Sequence, residues 1–113
     1  EKVDAGDIIL QNKFEVDSSF LHNEIKSKEK EQFFKIIKEF LSIYPNFRRK
    51  KQIGKDSFNK RRNYFSNKIN INKTIKSQFN LMRIAHNEKY PAFFEFKKRL
   101  FKIKIYNIEN EKR

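Results

Sequence analysis

At 113 residues the chain has the length of one domain. With 37% apolar and 36% charged residues, its core must be thin and its solvated or ligand-covered surface large. Twenty-seven Lys and Arg against fourteen Asp and Glu leave a formal charge of +13, a balance that suits a polyanionic partner. The lack of cysteine excludes disulfides and thiolate metal sites, and no apolar run approaches the ~20 residues that a membrane span needs.

The charge is unevenly spread. Residues 1–39 hold seven Lys/Arg and nine Asp/Glu, whereas residues 40–113 hold twenty and five. Nucleic acid is the first partner such a cationic region suggests, an anionic membrane the second, and a solubilising coat the third. Thirteen phenylalanines partly compensate for the low apolar fraction, because a buried ring removes roughly 150 to 250 Å² from water. The core is therefore expected to be aromatic and rich in isoleucine. The first residue is Glu1 rather than a methionine, which is compatible with a leader that was removed or lies outside this sequence.

In chain order, residues 3–14 read as a short helix, with Asp4 as N-cap, Asp7 three residues on, and Ile9, Leu10 and Phe14 at helical spacing. Asp17, Ser18 and Ser19 interrupt it with residues that favour caps and turns. From about Phe20 to Tyr44 an apolar stripe of Ile25, Phe33, Ile36, Ile37, Phe40, Leu41 and Tyr44 predicts a long helix ending ahead of Pro45. A third helix is expected to start at Asp56 or Ser57 and to carry Phe58, Arg61, Arg62 and Phe65. Residues 68–73 alternate apolar and polar like a strand. With no second run to pair with, they are read as helix or loop, helix resuming by Thr74 through Ile75, Phe79, Leu81, Met82 and Ala85. Pro91 opens a last helix holding Phe93, Phe94, Phe96, Leu100 and Phe101, and the tail from about Asn107 is expected to fray. The fold class so read is all-α with four helices, in one helical domain over residues 1–113.

The run from Arg48 to Arg62 is the most chemically loaded. Arg48, Arg49, Lys50 and Lys51 form one cationic cluster; Lys55, Lys60, Arg61 and Arg62 form a second beyond Gly54, with Asp56 the lone acid. The first cluster reads as an adaptable phosphate-binding loop. In the second, Asp56 is either an ion-paired helix cap or a carboxylate that orients a cation or accepts from a base edge or 2′-hydroxyl. Arg61 and Arg62 suit bidentate phosphate contacts, while Phe58 and Tyr64 are either core residues or base-stacking ones. Enzyme chemistry finds no support. His22 and His86 stand 64 positions apart with no Cys in the chain, the carboxylates form no dyad, and two glycines build no phosphate cradle. No metal, cofactor or small-molecule substrate is expected.

Taken together, these stretches resemble the family of the fifteenth protein of the small ribosomal subunit, of bacterial or organellar type. Residues 8–14 followed by Asp17-Ser18-Ser19 are similar to that family's first helix and its Asp-Thr-Gly-Ser turn. The run from Lys55 to Phe65 resembles its loop His-Lys-Lys-Asp-His-His-Ser-Arg-Arg-Gly-Leu, and His86 to Tyr90 followed by Phe93-Phe94 resembles its closing Asp-x-x-Arg-Tyr and last helix. The loop histidines and glycine of the family are absent, and about four extra residues separate Arg62 from Tyr90. The resemblance implies a four-helix protein that binds small-subunit rRNA at a helical junction and contacts neighbouring ribosomal proteins. RNA binding would fall to Asp17, Ser18 and Ser19 together with Lys55, Asp56 and Arg61. Divergence and AT-biased composition point to a mitochondrial matrix ribosome ahead of another organelle or a bacterial cytoplasm. The rival expectation is a helical accessory or assembly subunit of a mitochondrial respiratory complex, similar to the Leu-Tyr-Arg family, although that triplet is absent and Phe33-Phe34-Lys35 is the nearest approach.

Overall fold

The computed structural model describes residues 3–110. Its elements are α1 (His22–Ile43), a 3-10 turn at Tyr64–Asn67, α2 (Ile75–Arg83), β1 (Ala92–Phe96), β2 (Arg99–Ile103) and a 3-10 turn at Ile108–Asn110. Among the described residues this is a mixed α/β chain of two helices and one two-stranded antiparallel sheet, and the expected all-α, four-helix architecture does not form. The four-helix frame implied by the ribosomal resemblance is corrected by the same observation. Contacts divide the chain into one unit of Glu1–Glu15 and Ser27–Asn59 and another of Val16–Lys26 and Lys60–Arg113.

The long helix expected over 20–44 is present as α1, which begins among the residues of the second unit, continues in the first and stops just ahead of Pro45. At its start the Glu24 carboxylate accepts from Leu21 N–H (2.7 Å), satisfying a donor that the helix leaves unpaired. The helix expected over 3–14 is absent. Ile8 N–H donates to the Lys50 carbonyl (2.7 Å) and Lys50 N–H to that of Ile8 (2.8 Å), so this segment bonds to distant chain instead of to itself. The Gln52 amide also donates to the carbonyls of Asp4 (2.9 Å) and Gly6 (2.7 Å), which a helix would have needed for its own ladder. Ile36, Phe40, Ile43 and Phe47 are half-buried, as are Ile8, Ile9 and Leu10, and no described residue of this unit is fully buried. Phe33, Leu41 and Tyr44, which belong to the expected apolar stripe, lie more than half exposed, as does Phe34 beside it.

The third helix expected from Asp56 is likewise missing, and residues 55–63 carry no regular structure. Isolated short helices are marginal in water and depend on burying an apolar face. Phe58, the first apolar residue available there, is 93% exposed, and the nearby Lys55, Lys60, Arg61 and Arg62 repel one another.

The second unit holds the core. Phe93, Ala92, Met82 and Ala85 are buried together with Asn67, and the Phe93 ring stacks on Tyr64 at 4.4 Å. The helix expected after Pro91 is replaced by a hairpin in which Ala92 pairs Ile103, Phe94 pairs Phe101 and Phe96 pairs Arg99. Lys97 and Lys98, both with positive φ (49° and 59°), make its two-residue turn, the backbone that matches the right-handed twist of the strands. A hairpin alone is marginal, and here Ile69 N–H donates to the Phe93 carbonyl (2.8 Å) on the open edge of β1. The alternating run 68–73 thus meets a partner only at its start, through the single bridge of Lys68 with Phe93, and turns beyond Asn70 as the loop reading expected. Its remaining backbone is held by Gln78, whose side chain accepts from Asn70 N–H (2.6 Å) and donates to the Asn70 carbonyl (2.8 Å). Helix α2 opens where expected, with Thr74 Oγ1 accepting from Ser77 N–H (3.1 Å). The tail from Asn107, expected to fray, forms its 3-10 turn with the Asn107 side chain accepting from Glu109 N–H (2.9 Å); residues 111–113 lie outside the described residues.

Candidate nucleic-acid interface

The residues singled out in the sequence divide between the two units. Arg48, Arg49, Lys50, Lys51, Lys55, Asp56 and Ser57 belong to the first, all of them exposed. Two restraints shape this stretch. The Lys50 backbone is fixed by its reciprocal bonds to Ile8, and the Arg49 guanidinium sits 5.7 Å from the centre of the Phe47 ring. That ring is part of an aromatic cluster with Phe40 (5.5 Å) and Tyr44 (6.2 Å), so the cation rests on a platform braced by α1. Beyond Gln52 the chain turns at Gly54, whose φ of +122° is open to glycine and strained for any other residue. The segment from Lys51 to Asn59 and the chain around Asp7 wall an open depression of about 1150 Å³, with Lys51 and Lys55 on its rim beside Asp7 and Asp56. Asp56 caps no helix, because none starts there.

Asp17, Ser18, Ser19, Lys60, Arg61 and Arg62 belong to the second unit. The Asp17 carboxylate accepts from Ser19 N–H (2.8 Å) and from the Ser19 hydroxyl, closing the turn on itself. These two bonds, and secondarily the Arg83 charge, hold its carboxyl below the usual aspartate range. The Arg83 guanidinium also donates to the carbonyls of Asp17 (2.8 Å) and Phe20 (3.4 Å) and ties the turn to the end of α2. Asp17 and Ser19 therefore shape a turn and leave the exposed Ser18 at its tip. Lys60 and Arg61 are exposed in irregular chain, and the expected opening of a basic helix at Arg61 and Arg62 does not occur. Arg62 is held instead: its guanidinium donates to Asn67 Oδ1 (2.6 Å) and to the Ser66 carbonyl (3.4 Å), while the Asn67 amide donates to the Tyr90 carbonyl (2.9 Å). One of the two arginines thus braces the core's buried asparagine, and the other projects.

Sequence spacing also missed a cluster. His22 and His86, 64 positions apart, meet with ring centres 5.1 Å apart in an edge-to-face arrangement. They line a cavity of about 300 Å³ with Glu24, Arg83, Glu88 and Tyr106. His86 Nδ1 accepts from Glu88 N–H (3.2 Å) and Lys89 N–H (3.1 Å), which requires its ring proton on Nε2. Glu88 is held below the usual glutamate range mainly by its bond to Lys104 (2.7 Å), whose own ammonium is pushed up in return. No set of three or more His, Cys, Asp or Glu suited to a metal gathers among the described residues, and no described helix is long and apolar enough to cross a membrane.

Formal charge follows the same division. The first unit carries eleven Lys/Arg against eight Asp/Glu, the second sixteen against six. The cationic excess thus concentrates on the unit that has the core. Comparison with family models, with curated proteins and with solved structures finds no match, so the reading of this surface rests on its own chemistry.

Proposed function

We propose that the chain is a structural RNA-binding protein without catalytic activity, a component of a ribonucleoprotein particle, with the small subunit of a mitochondrial ribosome as the assembly to which its rRNA belongs. The observation that carries this reading is the run from Arg48 to Arg62, which sets eight cations against one acid in exposed chain free of regular structure from Lys51 to Asn63. Such a segment has little of its own to bury and gains order against phosphate, where each cation neutralised releases counterions. A-form RNA is recognised by shape, phosphate and 2′-hydroxyl contacts, which suit a pliant cationic strand more than a rigid fitted pocket. The thin core and the exposed aromatic side of α1 fit a chain that lives among neighbouring subunits. The resemblance to the fifteenth small-subunit protein lends the ribosomal assignment only its spacing of charged turns, since its helical frame is not formed. The respiratory-complex reading drew on a helical bundle, and two helices with a hairpin remove that ground.

Two measurements test the proposal. The tagged chain should sediment with small ribosomal subunits on a salt-resistant gradient; migration with inner-membrane complexes, or alone at the top, sinks it. Arg61→Ala should weaken binding to a small-subunit rRNA fragment and reduce the slope of log K against log salt by about 0.7 to 0.9. An unchanged slope would remove Arg61 from the interface.

A further inference from the structure

The basic run was legible as a polyanion-binding element. The hairpin was not, and it places a different set of residues together. Alternation along the strands, with the register given above, puts Phe94 and Phe96 of β1 on the same face as Arg99 and Phe101 of β2. At the inner end of this face Ala92 is buried, and toward the tip the side chains open to solvent: Phe96 is 49% and Phe101 38% exposed. The Phe94 and Phe101 rings stack on each other at 5.3 Å and 20° between planes. The Arg99 guanidinium lies 5.6 Å from the centre of Phe101, and the Lys97 ammonium 5.5 Å from that of Phe96.

We propose that this face of the hairpin is a stacking platform for unpaired bases of single-stranded RNA, with Lys97, Lys98 and Arg99 at the tip receiving the adjoining phosphates. The inference rests on the RNA-binding function proposed above and adds a second site with a different substrate preference. Aromatic rings on strands, interleaved with cations, offer each base a flat apolar surface and each phosphate a charge, and are tolerant of sequence because every base has a π-face.

Charge complementarity selects this occupant. The only acids from Glu88 to Lys104 are Glu88 and Glu95, and they are engaged by Lys104 (2.7 Å) and Lys68 (3.0 Å). Lys97, Lys98 and Arg99 have no carboxylate partner among the described residues. An apolar partner seated on the rings would desolvate these cations without compensation; a nucleic-acid strand supplies it. The turn points the same way. Both of its central residues adopt positive φ, where Asn-Gly is the favoured pair, and this chain places two lysines there.

The test uses the full chain and fluorescence anisotropy with two labelled probes, an oligouridine of about 12 nucleotides and an RNA duplex of about the same length. The double variant Phe96→Leu/Phe101→Leu keeps apolar packing and removes the flat surfaces. It should lose about tenfold or more in affinity for oligouridine, with duplex affinity and the salt slope unchanged, since no cation is removed. Equal affinity for oligouridine in the variant, or an equal loss on both probes, overturns the proposal. Circular dichroism checks the fold of the variant. If the double variant melts early, Phe96→Leu alone, at the most exposed of the three rings, should still lose severalfold on the single strand, and its failure to do so overturns the proposal as well. If Arg61→Ala weakens binding while the leucine variants do not, the platform falls and the general RNA-binding reading stands; if the native chain binds neither probe, both fall. Self-association of the native chain that the double variant abolishes, with oligouridine affinity intact, would assign the face to a second copy and overturn the proposal.

Discussion

Replacing Phe93 by alanine should come close to unfolding the second unit. Among the described residues Phe93 is the largest side chain that is fully buried, at 2% exposure, and the other buried apolar residues are Met82, Ala85, Pro91 and Ala92. Its ring stacks on Tyr64 at 4.4 Å and 22°, its carbonyl accepts from Ile69 N–H (2.8 Å), and its strand pairs with β2. Truncating a buried phenylalanine costs about 3 to 5 kcal/mol, and the loss of a stacked aromatic pair accounts for about 0.5 to 1.5 kcal/mol of that. Domains of this size have about 5 to 15 kcal/mol in total, and a chain with so few buried residues belongs at the low end. With a urea dependence of about 1 to 3 kcal/mol per molar, the unfolding midpoint should fall by about 2 M. The chain has four tyrosines and no tryptophan, so tyrosine fluorescence, to which Tyr64 contributes, follows the transition. A double-mutant cycle with Tyr64→Leu should return a coupling of about 1 kcal/mol for the stack. A loss below about 1 kcal/mol in Phe93→Ala would show that the second unit is not built on this ring.

Two further predictions concern the turns. The Asp17 carboxyl is held down first by the Ser19 hydroxyl and backbone N–H, so any stability it contributes is present above its unfolded value near 3.8 and is lost as pH falls through its lower folded value. Ser19→Ala should move the Asp17 titration midpoint, followed by carboxyl carbon NMR, up toward 3.8; an unmoved midpoint would refute the assigned cause. At the hairpin tip, Lys97→Asn with Lys98→Gly relieves two positive-φ residues and should stabilise the fold by about 1 to 2 kcal/mol in urea melts. Under the platform proposal it should also weaken oligouridine binding, and a stabilised variant that binds more tightly would contradict the role given to the tip lysines.

Helix α1 was legible because its period is long and its stop is marked by Pro45, and α2 was legible in the apolar spacing that resumes after Thr74. Periodicity tells that an apolar side exists, not what covers it. Ile36, Ile37, Phe40 and Leu41 share one stripe, yet Ile36 and Phe40 are half-buried and Leu41 is 66% exposed. The expected aromatic, isoleucine-rich core is accordingly reduced to one phenylalanine with small residues and a methionine. The hairpin was hidden for a definite reason. Phe93, Phe94, Phe96, Leu100 and Phe101 fit a helical stripe and a pair of strands about equally, and what normally separates the two is glycine or asparagine at the turn. Lys97 and Lys98 hold the left-handed backbone without either, so the break in the stripe carries no local signature. The strand-like run at 68–73 was read as helix or loop, and it is loop, apart from the one bridge by which Lys68 meets the concealed strand at Phe93.

The candidate interface was legible in charge and illegible in shape, and both follow from the same property of the sequence. Like charges such as Arg48 to Lys51 suggest a polyanionic partner from composition alone, because their long-range field depends on number more than on placement. Assigning shape to Lys55 through Arg62 required a helix, and a helix required an apolar face that Phe58 by itself does not supply. What the fold fixes instead are points along exposed chain: the Lys50 backbone against Ile8, Arg49 over Phe47, and Arg62 on Asn67. Between these points the cations lie in exposed chain without regular structure, which under the proposed function leaves them to follow the phosphates of an RNA. Arg62 and Arg61 therefore separate in consequence as well as in structure, since loss of Arg62 exposes an unpaired acceptor on the buried Asn67, while loss of Arg61 removes charge alone. A stability measurement that distinguishes the two, with only Arg62→Ala lowering the melt, would show that one arginine of the pair is structural and that the other leaves the fold untouched.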